Sequence, residues 1–141
     1  INLIGADAFA FFVPDEEGVL QVLCAEGIEN ELQSPAADSL VAKGLSSFHI
    51  SEWIDGGRKA GEEDPMVCIP VAAGDNAIGV IAIWSFFEQK IGFSAIDSRI
   101  FDVISKAAGF ALESAFYFSE RANHSKENRG KGRYNDYEKL L

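Results

Sequence analysis

The stretch from Met66 to Phe118 constrains this chain most. Met66-Val-Cys-Ile-Pro-Val-Ala-Ala73 is an apolar, β-rich run that ends at Gly74-Asp75-Asn76, and Ala77-Ile-Gly-Val-Ile-Ala-Ile-Trp-Ser-Phe86 follows at once. A polar turn between two such runs predicts an antiparallel hairpin. Gly79 inside the second run marks a close approach by a neighbour. Ser94-Ala-Ile-Asp97 then has the Ser-x-x-acid spacing of a capping box, with Asp a shorter reach-back residue than Glu or Gln. It opens a helix predicted from Ala95 to about Ala122, roughly 40 Å long at ~1.5 Å per residue. Ile96, Ile100, Val103, Ala107, Phe110, Ser114 and Phe118 form a stripe along it, widened by Ile104, Ala108, Ala111 and Ala115. The stripe is wider than one sheet face requires. Two readings stay open: the helix is buried in its own core, or Ile100, Ala107, Phe110, Ser114 and Phe118 meet a second subunit.

Upstream, Ala8-Phe-Ala-Phe-Phe-Val13 stops at the turn cluster Pro14-Asp-Glu-Glu-Gly18, and Val19-Leu-Gln-Val-Leu-Cys-Ala25 follows, ending at Gly27. This reads as a second hairpin. Phe9, Phe11 and Val13 would share one face and Ala8, Ala10 and Phe12 the other, so the sheet is expected to be covered on both sides. Ser34-Pro35 supplies an N-cap and a favoured first helical residue, and Lys43-Gly44 a C-terminal stop, which predicts a short helix between them. Ser47–Ser51 reads as a short strand. The charged, glycine-rich segment 55–65 reads as a mobile loop.

Composition sets limits on function. The chain has 141 residues, 48 % of them hydrophobic, enough for one domain with a real core. Residues 1–120 hold 19 acids and 6 bases, whereas 121–141 hold 3 acids and 6 bases. An acidic body repels phosphate backbones, so nucleic acid is not an expected partner of the domain. The division implied is a domain over 1–121 and a basic, polar linker or tail over 122–141. No uninterrupted apolar run reaches membrane-spanning length, and no basic region precedes the first apolar residues as in a signal peptide; no membrane and a cytoplasmic location are the expectation. Cys24 and Cys68 lie far apart on apolar stretches and read as buried thiols, and neither has a Cys or His at metal-ligand spacing.

In order, these elements resemble a GAF domain. The closing half carries the resemblance: apolar strand, Gly74-Asp75-Asn76 turn, Ile78-Gly-Val80 strand and Phe93-Ser-Ala-Ile-Asp97 helix start. Val19–Gly27 looks like the second strand with its closing glycine, and Leu40-Val-Ala-Lys-Gly44 through Ser51 like the helix, glycine and third strand. The fold implied is α+β: a central antiparallel sheet of five to six strands, with helices on one face and a ligand-pocket segment on the other. Two departures stand out. Such domains usually begin with an α-helix beside the last one, and most of it has no counterpart here, which implies lost upstream residues or cover from a neighbouring chain. The glycines usual ahead of the central helix are replaced by Pro35-Ala-Ala-Asp-Ser39.

The resemblance implies regulation, not catalysis. Cyclic-nucleotide-binding members carry Asn-Lys, a spacer and Phe-x-x-x-Asp-Glu; here strand register puts Ser85-Phe86 at the first pair, and Ser98 replaces the Glu. Lys90 paired with Asp97 would then be a surface ion pair of ~0.2–1 kcal/mol. The cysteine and Asp-Ile-Pro-type loop of bilin-binding members are missing from 46–64, and two cysteines are too few for a methionine-sulfoxide reductase site. His49 and His124 have no nucleophile or acid at motif spacing, so no catalytic residue is assigned. What remains is a non-covalent pocket, which the resemblance places between the sheet and the segment around the third strand, at Phe48, His49, Glu52 and Trp53; those residue types suit an unidentified small planar or cationic molecule. Phe48 and Trp53 equally suit a role as core plugs with His49 at the surface. No cofactor identity is legible and no metal is expected. The functional reading is a sensory domain that passes its signal through the last helix, with a homodimer expected; a ligand-free dimerisation module and a thiol-based redox sensor or reductase are the alternatives.

Overall fold

The computed structural model describes residues 4–127, with side chains to 123. Its order is β1 (Ala6–Pro14), β2 (Leu20–Glu26), α1 (Leu40–Lys43), β3 (His49–Ile50), β4 (Val67–Ala73), β5 (Asn76–Phe86) and α2 (Ala95–Glu127). All pairings are antiparallel in one five-stranded sheet of order β2-β1-β5-β4-β3. The expected hairpins are both present. β4 and β5 turn at Gly74-Asp75, with Ala73 opposite Asn76. Gly74 has φ +61° and, among the described residues, no non-glycine residue has positive φ, as a type II′ turn requires. In the first hairpin, Asp15 accepts from the Glu17 and Val19 amides at 2.9 Å each and fixes the turn.

Side-chain alternation divides the core in two. Phe9, Val67, Ile69, Val71, Ile81 and Ile83 face α2 and close on Phe101, with Phe11 packed against them. Ala8, Ala10, Phe12, Cys68, Val80, Ala82 and Trp84 face the other way, toward Val41 of α1 and Leu32. Both sides of the central strands β1, β5 and β4 are therefore apolar and covered, as the faces of β1 predict.

Three local expectations are corrected. The short helix begins at Leu40, not after Ser34: Ser39 is its N-cap, accepting from the Ala42 amide at 3.2 Å, so only four residues are helical. A second capping residue closer to the Gly44 stop wins over the earlier Ser-Pro signal. Cys24 is exposed, because β2 is an edge strand open on both faces beyond Leu20; Cys68 is buried as expected. The segment 55–65 is anchored: Arg58 N–H donates to Trp84 O at 2.8 Å, and Trp84 Nε1–H donates to Glu63 O at 2.8 Å. α2 runs past the expected domain end at 121, and most of the expected tail lies outside the described residues.

The reach-back half of the capping box forms despite its short acid, and Ser94 Oγ also donates to Asp97 Oδ2 at 3.1 Å. Asp97 accepts from the Ser94 amide at 2.7 Å and from Lys90 Nζ at 2.5 Å. The Lys90–Asp97 pair is mostly buried rather than a surface pair, since Asp97 retains 6 % exposure. Docking of α2 relies on Phe101, Ser105, Gly109 and Leu112, all buried. Ser105 Oγ donates to the Pro70 carbonyl, an acceptor that the two-residue β3 leaves unpaired. A Cβ on Gly109 would stand 2.1 Å from Ala72 O, so helix and strand touch backbone to backbone.

Candidate functional site

On the sheet face away from α2 lies a cavity of about 250 Å³. Phe12 of β1 and Trp84 of β5 form its floor, Val41 and Ser39 come from the start of α1, and Leu32 and Ser34 from the segment before it. Glu62, Glu63, Asp64 and Pro65 complete the rim. These parts meet because period-two alternation turns Phe12 and Trp84 to the same side of adjacent strands, and because the backbone at 57–63 is tied to β5. Gly57 is required there: its φ is +74°, and a Cβ would lie 2.2 Å from Ser85 Cβ. The loop also holds itself, with Lys59 N–H donating to Glu63 Oε2 at 2.6 Å. An apolar floor beneath an acidic rim suits a small molecule with a flat apolar body and a positive or hydrogen-bond-donating end. A smaller hollow of about 160 Å³ lies alongside, between Ala8, Ser85 and Arg58, whose Nε has no hydrogen-bond partner.

A wider groove of about 750 Å³ lies at the other side of the sheet edge. It runs between Phe48, the β4–β5 turn and the α2 residues Asp102, Ser105, Lys106, Phe110 and Glu113. Asp102 already engages Lys106 at 2.8 Å.

The four residues expected to share a pocket are distributed over different surroundings. Phe48 lines the wide groove. His49 is half-buried on β3 opposite Cys68, with Nε2 3.1 Å from Ser51 Oγ. Glu52 is exposed. Trp53 packs on Phe86 and Phe93, with ring centroids 5.7 and 5.1 Å away, and its Nε1–H donates to Asp55 at 2.8 Å. Sequence reading placed Phe12 on the correct face but did not single out Phe12 or Trp84, since buried aromatics on strands carry no signal that separates a cavity floor from a filled core. Of the interface residues, Ala107, Phe110 and Phe118 are exposed and Ile100 and Ser114 half-buried.

Burial pushes the Cys68 thiol up to about 12, and Asp64 adds to the effect, so Cys68 is no nucleophile at neutral pH. Among the described residues no cluster of metal-ligating side chains occurs, and no helix is long and apolar enough to cross a membrane.

No family model matches the sequence, and no curated protein matches it. Solved structures do. The second GAF domain of DevS from Mycobacterium smegmatis superimposes with a TM-score of 0.64 at 18 % identity, over 85 % of this chain and 89 % of that one. The GAF domain of a two-component sensor histidine kinase from Bacillus halodurans gives 0.60 at 16 % identity, over 80 % and 85 %. The chain has the GAF-domain fold.

Proposed function

We propose that this GAF-fold chain is a regulatory sensory module that binds a small planar or cationic molecule non-covalently and reports occupancy through α2. One observation supports the reading above others: the sheet is a wall shared by the cavity and the helix. Trp84 lies on the cavity floor, while Ile83, its neighbour on β5, lies in the core that closes on Phe101 of α2. A ligand that shifts the floor moves the residues under the helix, because a close-packed interior transmits strain. Such a signal requires that the ligand favour one of two arrangements of the wall. At about 250 Å³ the cavity falls below the ~300 Å³ at which drug-sized sites begin, so the ligand is small.

A thermal-shift panel of small aromatic and aliphatic cations tests the reading. Binding at a hundredfold excess over Kd stabilises by about 2.7 kcal/mol. At least one compound should raise the melting temperature of the natural chain and not that of Ser34→Trp, which fills the exposed rim without touching the floor. Equal responses in the two proteins, or none in either, count against it.

A further inference from the structure

Arg58 is half-buried and makes no ion pair among the described residues, which sets it apart from the other cations of the folded body. Residues 1–120 hold six bases. Lys59, Lys90 and Lys106 are salt-bridged to Glu62, Asp97 and Asp102, and Lys43 and Arg99 are exposed to water. Arg58 has neither remedy. Its Nη1–H donates to the Asp64 carbonyl at a long 3.4 Å, and its Nε–H is buried with no partner among the described residues. Arginine cannot shed its charge, so burying it without a counter-charge is costly. The side chain lines the hollow of about 160 Å³ between Ala8 of β1 and Ser85 of β5. The loop backbone holds it there: Arg58 N–H donates to Trp84 O at 2.8 Å, and Gly57 lies against Ser85.

We propose that this hollow is an anion site whose occupant is a carboxylate gripped by Arg58. This goes beyond the sensory reading and stands on the hollow's own residues. Three observations carry it. The unpartnered Nε–H belongs to one edge of the guanidinium fork, where two parallel donors match the two oxygens of a carboxylate. Ser85 also lines the hollow, and its Oγ reaches Asp7 only at 3.5 Å, so the hydroxyl is nearly free to donate to a further oxygen. The floor is made by Ala8 and Ala60, 7 and 8 % exposed, whose short side chains leave the space open. Charge sets the class of anion. The lining holds two bases and one acid, Glu29, and Lys59 is shared with Glu62, so the surplus positive charge is at most one. A carboxylate balances it, whereas a phosphate dianion would overshoot it beside an acidic body. The carboxylate can come from two sources: a free small acid, or the far end of the molecule in the neighbouring cavity. The second is within reach, because Trp84 on the cavity floor and Ser85 in the hollow are consecutive on β5, and Asp64 on the cavity rim accepts from Arg58.

An NMR titration that follows the Arg58 side-chain Nε–H tests the site on the full chain. The probes are acetate, benzamidinium and para-amidinobenzoate, which adds a carboxylate to benzamidinium. At least one carboxylate should shift that resonance, and sodium chloride at equal ionic strength should not. If the cavity's ligand supplies the carboxylate, para-amidinobenzoate binds about 10- to 100-fold more tightly than benzamidinium, as a charge-assisted pair allows, and Arg58→Gln removes the advantage. If a free acid is the occupant, acetate binds at least as tightly as para-amidinobenzoate. In either case Arg58→Lys, which keeps the charge and loses the fork, should bind the carboxylate roughly 5-fold or more weakly. Circular dichroism checks that both variants remain folded, and the titrations of the natural chain decide the matter if they do not. A chain that ignores benzamidinium yet shows the acetate shift keeps this site and loses the sensory reading. An Nε–H that neither carboxylate moves, as a hollow holding only water would give, overturns the proposal, and so does an equal response to chloride.

Discussion

Phe101 and Phe110 lie nine residues apart on one helix, and the structure gives them opposite fates. Phe101 is fully buried in the core beneath α2, whereas Phe110 is 73 % exposed. Truncating Phe101 to alanine removes most of an aromatic ring from close-packed surroundings. The transfer contribution is about 1.5–3 kcal/mol, and the residual cavity brings the loss to about 3–5 kcal/mol. For a domain of this size that lowers the melting temperature by roughly 10–20 °C. Phe110→Ala deletes a ring that contributes little to the isolated fold, so its cost in dilute protein should stay within about 0.5 kcal/mol. Urea titration of both variants, at a dilute and a concentrated setting, is the assay. Phe101→Ala should be destabilised at both settings, and Phe110→Ala should stay within about 0.5 kcal/mol of the natural chain in the dilute one. Equal losses for the two in dilute protein would refute the orientation assigned to α2.

Further consequences follow from the contacts around that helix. Gly109→Ala would gain about 1 kcal/mol of helix propensity, yet its Cβ meets the Ala72 carbonyl at 2.1 Å; a net loss of about 1–3 kcal/mol is expected, and a more stable variant would show that α2 and β4 do not touch there. Burial favours a neutral Asp97, but Lys90 and Ser94 outweigh it and hold the carboxyl below its ordinary value. Its contribution is therefore present above the usual carboxylate range and lost as pH falls through the lowered folded value. Asp97→Asn should cost about 1–2 kcal/mol near neutrality, and the gap from the natural chain should narrow below about pH 4 in acid denaturation. A thiol reagent at mildly alkaline pH should modify one cysteine, the exposed Cys24, in the folded protein, with Cys68 reacting only after unfolding; fast modification of both would contradict the burial of β4.

The sheet was legible where local and tertiary signals agree. Both hairpins have turn residues that accept only a few backbone shapes, and the alternation of Phe9 and Phe11 against Ala10 and Phe12 assigned the two faces correctly. α2 was legible as a helix, through Ser94 and Asp97, but not in its rotation. Its longest apolar stripe, through Ile96, Val103 and Phe110, faces away from the sheet, and the docking face includes Ser105 and Gly109, whose small or polar side chains suggest no core. Gly109 is there because backbones touch, and Ser105 because Pro70 presents a carbonyl at an edge β3 does not reach. Neither requirement exists until the strands are assembled. The candidate site was the least legible part. Phe48, His49, Glu52 and Trp53 are neighbours in sequence, but the strand and bend they occupy send them to separate surroundings, whereas Phe12 and Trp84 become neighbours only through β1–β5 pairing.

The shared wall is tested most directly by a heteronuclear NMR titration with benzamidinium, a planar aromatic cation small enough for the cavity. Resonances of Phe12, Ser39 and the Trp84 indole should shift first, with concerted changes at Ile83 and Phe101 across the sheet, and Ser34→Trp should abolish both sets. Shifts confined to Phe48 and Phe110 in the wide groove, or cavity shifts that leave Ile83 and Phe101 unchanged, would contradict the account.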